Sequence, residues 1–158
     1  MGINAGMMSS DSSEWGTPQS FFDRLDEIYQ FTLDAAASPE NAKCEHFYTK
    51  EDDALKLAWP GRVWCNPPYG REIPKWVKKA YRESCQPYNQ AVVMLVAART
   101  DTRWWHEWVM RAETIWLVMG RLRFEGAPSS APFPSAVAVF QGLQRTTPKF
   151  KVFRAKEN

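Results

Sequence analysis

The sequence predicts an open α/β domain whose sheet finishes with an antiparallel portion, and three observations carry that expectation. Helix-period and strand-like segments alternate through the first two thirds of the chain. Ala91 to Ala97 is an almost unbroken apolar run, as a central strand covered on both faces requires. The strand-like segments after residue 114 have no helical segment between them, which favours short antiparallel connections. At 158 residues the chain is long enough for one domain with a sizeable core, and its 44% hydrophobic content is that of a globular protein.

Residues 1–13, rich in Met, Gly, Ser, Asn and Asp, read as a disordered lead-in to a single domain over 14–150, with 151–158 as a basic tail. Thr17-Pro18 reads as the N-cap and first residue of a helix, because Thr accepts from free backbone N–H groups and Pro needs none. Phe21, Phe22, Leu25, Ile28 and Tyr29 follow at helical spacing. Phe31-Thr32-Leu33-Asp34 reads as a short strand ending in an acid, followed by Ala35-Ala36-Ala37-Ser38-Pro39. Residues 40–61 are irregular, with a weak strand near His46 to Tyr48 and an acidic turn at Glu51-Asp52-Asp53.

Arg62 to Cys65 is a strand. Trp76, Val77, Ala80 and Tyr81 mark one face of the next helix. After the central strand, Thr100 or Asp101 is expected to cap a helix carrying Trp104, Trp105, Trp108 and Val109. Thr114 to Met119, Leu122 to Phe124 and Ala136 to Phe140 complete the expected strands.

Several classes of protein are disfavoured. No apolar stretch approaches the roughly 20 residues of a membrane span, no signal peptide opens the chain, and Gly6 stands where a myristoylation signal wants Ser or Thr. Cys44, Cys65 and Cys85 have no paired spacing and read as free thiols of a reducing cytoplasm. Cys44 and His46, with Cys65, could suggest a metal-binding structural protein, but a second ligand pair is missing and no metal is expected.

Charge is unevenly distributed. Residues 1–98 hold 10 Lys/Arg and 13 Asp/Glu, a balance of −3, whereas residues 99–158 hold 10 and 5, a balance of +5. The basic half could face a polyanion.

The richest chemistry lies in Asn66-Pro67-Pro68-Tyr69, directly after the apolar run Val63-Trp64-Cys65. Two prolines stiffen the loop and leave its carbonyls as acceptors. The Asn66 side-chain oxygen and the Pro67 carbonyl can together accept both hydrogens of an exocyclic amine, while Tyr69 lies against the ring that bears it. By itself the tetrad is equally compatible with a stiff Pro-Pro turn; its neighbours decide. An open α/β sheet binds ligands beyond the carboxyl ends of its strands, and Asp34 and Asn66 both stand at such ends. Asp34, with small residues after it, suits a cationic amine or a ribose, and Asp52 or Asp53 suits an adenine amine.

The stretches Glu14-Trp15-Gly16-Thr17-Pro18, Phe31 to Ser38, Asn41-Ala42-Lys43-Cys44, Asp52-Asp53-Ala54-Leu55, Asn66 to Tyr69 and Arg99-Thr100-Asp101-Thr102-Arg103-Trp104-Trp105 together resemble the phage DNA N-6-adenine methyltransferase (phage Dam) family. Weaker matches run through Gly120 to Phe124 and Phe133 to Ser135, so the resemblance covers roughly residues 14–140. It implies a reduced Rossmann-like fold, S-adenosylmethionine as cofactor, and adenine N6 of double-stranded DNA as target, in the cytoplasm of a bacterial host.

Carried over, Asn66, Pro67, Pro68 and Tyr69 form the catalytic loop. Asp34 with Ala35, Ala36, Ala37 and Ser38 stands at the cofactor loop, and Asp52 or Asp53 near the cofactor adenine. Trp15, Thr17 and Pro18 match the segment over the cofactor's methionyl end. The usual glycines of a cofactor loop are replaced here by Ala and Ser.

Arg71, Lys75, Arg99, Arg103, Arg121 and Arg123 are the expected DNA-contacting cations, with Arg121 to Ser135 as a short recognition loop. The chain leaves no space for a large recognition domain, so weak specificity or a homodimer is expected. The rival readings are the same chemistry on RNA adenine, cytosine N4 or a protein glutamine, and a catalytically inactive DNA-binding homologue.

Overall fold

Alternating apolar residues along the strands generate two cores, one on each face of a six-stranded sheet. A computed structural model describes residues 16–142 and 147–157; the lead-in expected over 1–13, and Trp15, lie outside them. The elements are α1 (Gln19–Tyr29), β1 (Leu33–Asp34), β2 (Gly61–Cys65), α2 (Ile73–Ser84), β3 (Asn89–Ala97), α3 (Arg103–Glu107), β4 (Thr114–Met119), β5 (Ser135–Phe140) and β6 (Lys149–Arg154). Single 3-10 turns at Lys50–Asp52, Ala54–Lys56 and Val109–Arg111 join them.

The strand order is β1-β2-β3-β5-β4-β6. β1, β2 and β3 are parallel neighbours, with Asp34 opposite Trp64 and Cys65 opposite Met94. The expected antiparallel portion is present in the C-terminal half: β5 runs against both of its neighbours, β3 and β4, while β6 closes the sheet parallel to β4. β5 is buried along its whole length, so its composition reads the same in either direction.

One core packs Val63, Cys65, Val92, Met94, Val96 and Ile115 against Ile73, Val77 and Ala80 of α2 and Trp105 of α3. The other packs Trp64, Val93, Leu95, Val137 and Val139 against Phe21, Phe22 and Leu25 of α1, together with Leu122, Phe124 and Phe133. Each such side chain fully removed from water contributes about 1.5–3 kcal/mol before entropy is counted. Gly61 opens β2 at φ 79, and a Cβ there would meet the Thr32 hydroxyl at 2.5 Å. Only Gly fits the turn that brings Thr32 against Arg62.

Five expectations change. Residues 151–154 belong to β6 rather than to a tail, and the chain stays on the fold to Ala155, whose N–H donates to the Met119 carbonyl at 2.9 Å. Leu122 to Phe124 is not a strand; the segment is irregular and meets Gly16 through a single bridge at Glu125. Thr102, not Thr100 or Asp101, caps α3, its hydroxyl accepting the Trp105 N–H at 3.3 Å. Pro18, not Thr17, occupies the N-cap of α1, with no side-chain cap. The weak strand near His46 to Tyr48 is a single parallel bridge between Phe47 and Asp34.

Because five strands share one direction, β1 to β4 deliver Asp34, Asn66, Ala98 and Gly120 to the same edge of the sheet. β5 begins at that edge, with Ser135 opposite Ala97.

Candidate active site

The tetrad leaves β2 at this edge. Pro67 is buried and Pro68 and Tyr69 are half-buried. Gly70, at φ 123, turns the chain toward α2. Asn66 is half-buried, and its Nδ2 donates to Thr17 Oγ1 at 3.1 Å. Thr17 is itself only 2% exposed.

The Tyr69 ring packs on Phe133 (centroids 5.4 Å apart) and edge-on to Phe124 (5.8 Å). The guanidinium of Arg99 lies 5.5 Å from the Phe133 ring centre. The Tyr69 hydroxyl is buried and has no hydrogen-bond partner among the described residues. Burial pushes its phenol well above the ordinary range, reinforced by Cys65.

Asp34 is 3% exposed. Its Oδ1 accepts the Ala36 N–H at 3.2 Å and its Oδ2 the Lys43 N–H at 3.0 Å, so the carboxylate spans the loop from 35 to 43. Burial pushes its pKa up to about 6, against those two hydrogen bonds and the Lys43 charge, which favour the ionised form. Within the loop the Ser38 N–H donates to Asn41 Oδ1 at 2.8 Å and the Ala37 N–H to the Tyr48 carbonyl at 2.9 Å. Lys43 Nζ reaches Gln19 Oε1 at 2.8 Å and Glu125 Oε1 at 3.2 Å. The acid at the end of β1 therefore shapes this loop through its own oxygens, where the sequence suggested a carboxylate open to a ligand.

A cavity of about 780 Å³ lies between this loop and the tetrad. Ala35, Ala36, Ala37, Ser38, Asp53, Asn66, Pro68, Tyr69 and Arg71 line it; the sequence named the first five for the cofactor, the next three for the catalytic loop and Arg71 for DNA. Asp34 and Thr17 instead border, together with Asn66, a space of about 10 Å³, room for roughly one water.

Asp52 and Asp53 part company. Asp52 Oδ2 accepts the Thr49 N–H at 2.7 Å and the Thr49 hydroxyl at 3.0 Å, and these bonds lower its pKa. Asp53, at φ 57, lines the cavity and pairs with Lys56 at 3.3 Å.

The sequence reading missed Pro39, Glu40, Asn41, Thr49, Lys50, Glu51 and Trp76 in the walls. Trp76 was legible as a helix-face residue, but its place beside Trp59 (6.0 Å) and at the cavity comes from tertiary packing.

The six expected cations differ in their commitments. Arg71 and Arg99 are exposed, and Arg71 lines the cavity. Lys75 pairs with Glu72 at 3.1 Å, and Arg103 with Glu107. Arg121 and Arg123 donate to carbonyls of Ala131, Ala127 and Pro128, fastening the 121–133 segment to itself. Cys65 is fully buried, and burial together with Asp34 pushes the Cys44 thiol up to about 12. Among the described residues no group of His, Cys, Asp and Glu could hold a metal ion, and no helix is long and apolar enough to cross a membrane.

The model of the family described as DNA N-6-adenine-methyltransferase (Dam) matches residues 5–142. The chain is 40% identical over 107 residues to the DNA N-6-adenine-methyltransferase of Escherichia phage T1, a match covering 65% of this chain and 44% of that protein. It is 34% identical over 119 residues to the protein of the same name from Haemophilus phage HP1 (strain HP1c1), covering 73% and 68%. Over 64 residues it is 36% identical to the putative methyltransferase YfdM of Escherichia coli (strain K12), covering 35% of this chain and 70% of that one. The matched region thus spans less than half the length of the phage T1 relative. The family match embraces the Asp34 loop, the tetrad and the Phe133 ring packed on Tyr69 alike, and the chain belongs to the DNA N-6-adenine-methyltransferase (Dam) family.

Proposed function

We propose that this chain methylates the exocyclic N6 amine of adenine in double-stranded DNA, with S-adenosylmethionine as methyl donor, on a reduced Rossmann-like sheet. The observation that carries the reading is the position of Asn66 to Tyr69 at the carboxyl end of β2, facing a cavity whose opposite wall is the Asp34-shaped loop. We place the reaction in the cytoplasm of a bacterial host, where the phage-encoded relatives would meet DNA.

The cavity suits the donor. Its volume of about 780 Å³ falls in the range of small-molecule sites, roughly 300–1,000 Å³. Ala35 to Ala37 carry no bulk that would keep a ligand from the backbone, and the Asp53 and Glu51 carboxylates at one wall can accept from hydroxyl or amine groups. S-adenosylmethionine supplies, when bound, a methyl group carried on a positively charged sulfur.

The chain's own residues then position the amine. Asn66 Oδ1 and the Pro67 carbonyl accept its two hydrogens, directing the nitrogen lone pair toward the donor side of the cavity. The ring of Tyr69 takes one face of the base. An adenine in duplex must first leave the stack, at about a few kcal/mol, and the exposed Arg71 and Arg99 at the sheet edge are placed to hold the flanking phosphates. Holding the reactants in line gives most of the acceleration. The amine loses its extra proton to water after transfer.

The test is methyl transfer from labelled S-adenosylmethionine to unmethylated duplex DNA, with the product nucleoside identified and Asn66→Ala as control. N6-methyladenine from the wild type, with only a small residual rate in the variant, is the expected result. Cofactor binding without transfer to DNA would refute the DNA substrate, and absence of cofactor binding would refute the methyltransferase reading.

A further inference from the structure

Thr17 precedes α1 but does not cap it: Pro18 holds the N-cap position and no side chain closes that end. The Thr17 hydroxyl points instead across 49 residues of sequence to Asn66, accepting from Nδ2 at 3.1 Å. Its backbone is fixed on both sides. Glu125 N–H donates to the Gly16 carbonyl at 2.9 Å, and Phe22 N–H to the Pro18 carbonyl at 3.1 Å. A Cβ on Gly16 would meet Glu125 Oε2 at 2.7 Å, so the approach is close. With Thr17 only 2% exposed, its hydroxyl is buried beside the tetrad, where it accepts from Asn66 Nδ2.

An asparagine amide can turn over with little change of shape, exchanging its oxygen for its NH₂ group. Only one orientation suits an amine, because an NH₂ group facing another NH₂ group offers it no acceptor. We infer that Thr17 is a positioning residue for methyl transfer: it accepts the Asn66 Nδ2–H and so holds the Asn66 oxygen as the end presented to the target amine. This rests on the methyltransferase reading above, and it gives Thr17 a task other than contact with the cofactor. Thr17 touches no reacting atom; it acts through Asn66.

The experiment compares Thr17→Val, which keeps the shape and loses the hydroxyl, with Thr17→Ser, which keeps the hydroxyl. Thr17→Val should lower kcat on DNA by about 10–100-fold, the scale of a misplaced reacting group, with the cofactor Kd moving far less. Thr17→Ser should restore most of the rate. In an Asn66→Ala background, Thr17→Val should cost nothing further, because its partner is already gone. An unchanged kcat in Thr17→Val, or an equal loss in both backgrounds, would overturn the inference.

A readout independent of activity separates this inference from the reaction itself. The ¹⁵N side-chain amide signals of Asn66 should show one orientation in wild type and Thr17→Ser, and a shifted or averaged set in Thr17→Val. Identical signals in Thr17→Val would refute the assignment whatever the enzyme does. A wild type that methylates no DNA but shows the expected amide pattern would refute only the DNA reading.

Discussion

Asp34 and Lys43 are joined through the backbone: the Asp34 carboxylate accepts the Lys43 N–H at 3.0 Å, while the Lys43 ammonium reaches Glu125 at 3.2 Å. One lysine thus connects the loop after β1 to the segment before β5. The link has a pH signature. Burial raises the Asp34 pKa from 3.8 to about 6, so between those values the folded protein holds the proton more tightly than the unfolded chain. This group therefore lowers stability above about pH 6, and that loss recedes as the pH falls toward about 4.

Cofactor binding should respond in the opposite sense. Ionised Asp34 offers acceptors to both Ala36 and Lys43; protonated, it holds them less well. Titration calorimetry should find S-adenosylmethionine affinity falling below about pH 6, and Asp34→Asn should bind weakly with that dependence gone. A flat wild-type profile through this range would contradict the assignment.

Glu83 governs stability at the far edge of the sheet. It is 6% exposed, and its Oε1 accepts the Trp59 N–H at 2.5 Å and the Tyr88 hydroxyl at 2.9 Å, with Lys79 Nζ 3.6 Å from Oε2. Glu83→Ala would leave the Trp59 N–H buried without an acceptor. The expected loss is about 3 kcal/mol in urea denaturation, with Glu83→Gln losing less because it keeps one oxygen. Both variants should turn over close to normally while folded, since Glu83 does not itself line the cavity and meets its wall only through Trp59, which packs beside Trp76.

The exposed cations should not contribute equally to DNA binding. Arg99→Ala should weaken binding and reduce the slope of log K against log salt by about 1, as for one lost phosphate contact. Arg103→Ala should change both less, because Glu107 already holds that guanidinium. Fluorescence anisotropy at several salt concentrations distinguishes them, and equal effects would show that the Glu107 pairing does not survive on DNA.

Local pattern made some features legible and tertiary contact hid others. The run Ala91 to Ala97 and the helical spacing of Phe21 to Tyr29 determine β3 and α1 whatever surrounds them, and the tetrad announced itself by composition. β6 did not: as an edge strand it is exposed except at Phe153, so its Lys, Lys and Arg disguise a strand as a tail. Leu122 and Phe124 alternate like a strand, yet they are buried by a segment that Arg121 and Arg123 fold back on itself. Thr17 carried a strong capping signal, but its hydroxyl went to Asn66, a contact no local rule contains. Asp52 and Asp53 are identical in composition, and only the left-handed turn at Asp53 separates the residue that closes a cap from the one that faces the cavity.

Tyr69 separates ring from hydroxyl. Its ring packs on Phe124 and Phe133 and is the surface proposed to meet the base, whereas its hydroxyl is buried without a partner among the described residues. A buried, unsatisfied hydroxyl costs about 1–3 kcal/mol. Tyr69→Phe removes that cost and keeps the ring, so it should raise stability by roughly 1 kcal/mol and leave methyl transfer close to wild type. Tyr69→Ala removes the ring, opens a void against Phe133, and should lower both stability and kcat. Thermal unfolding and steady-state rates on the two variants decide the matter. A Tyr69→Phe protein that lost stability, or lost most of its kcat, would mean the hydroxyl has a role that this packing does not explain.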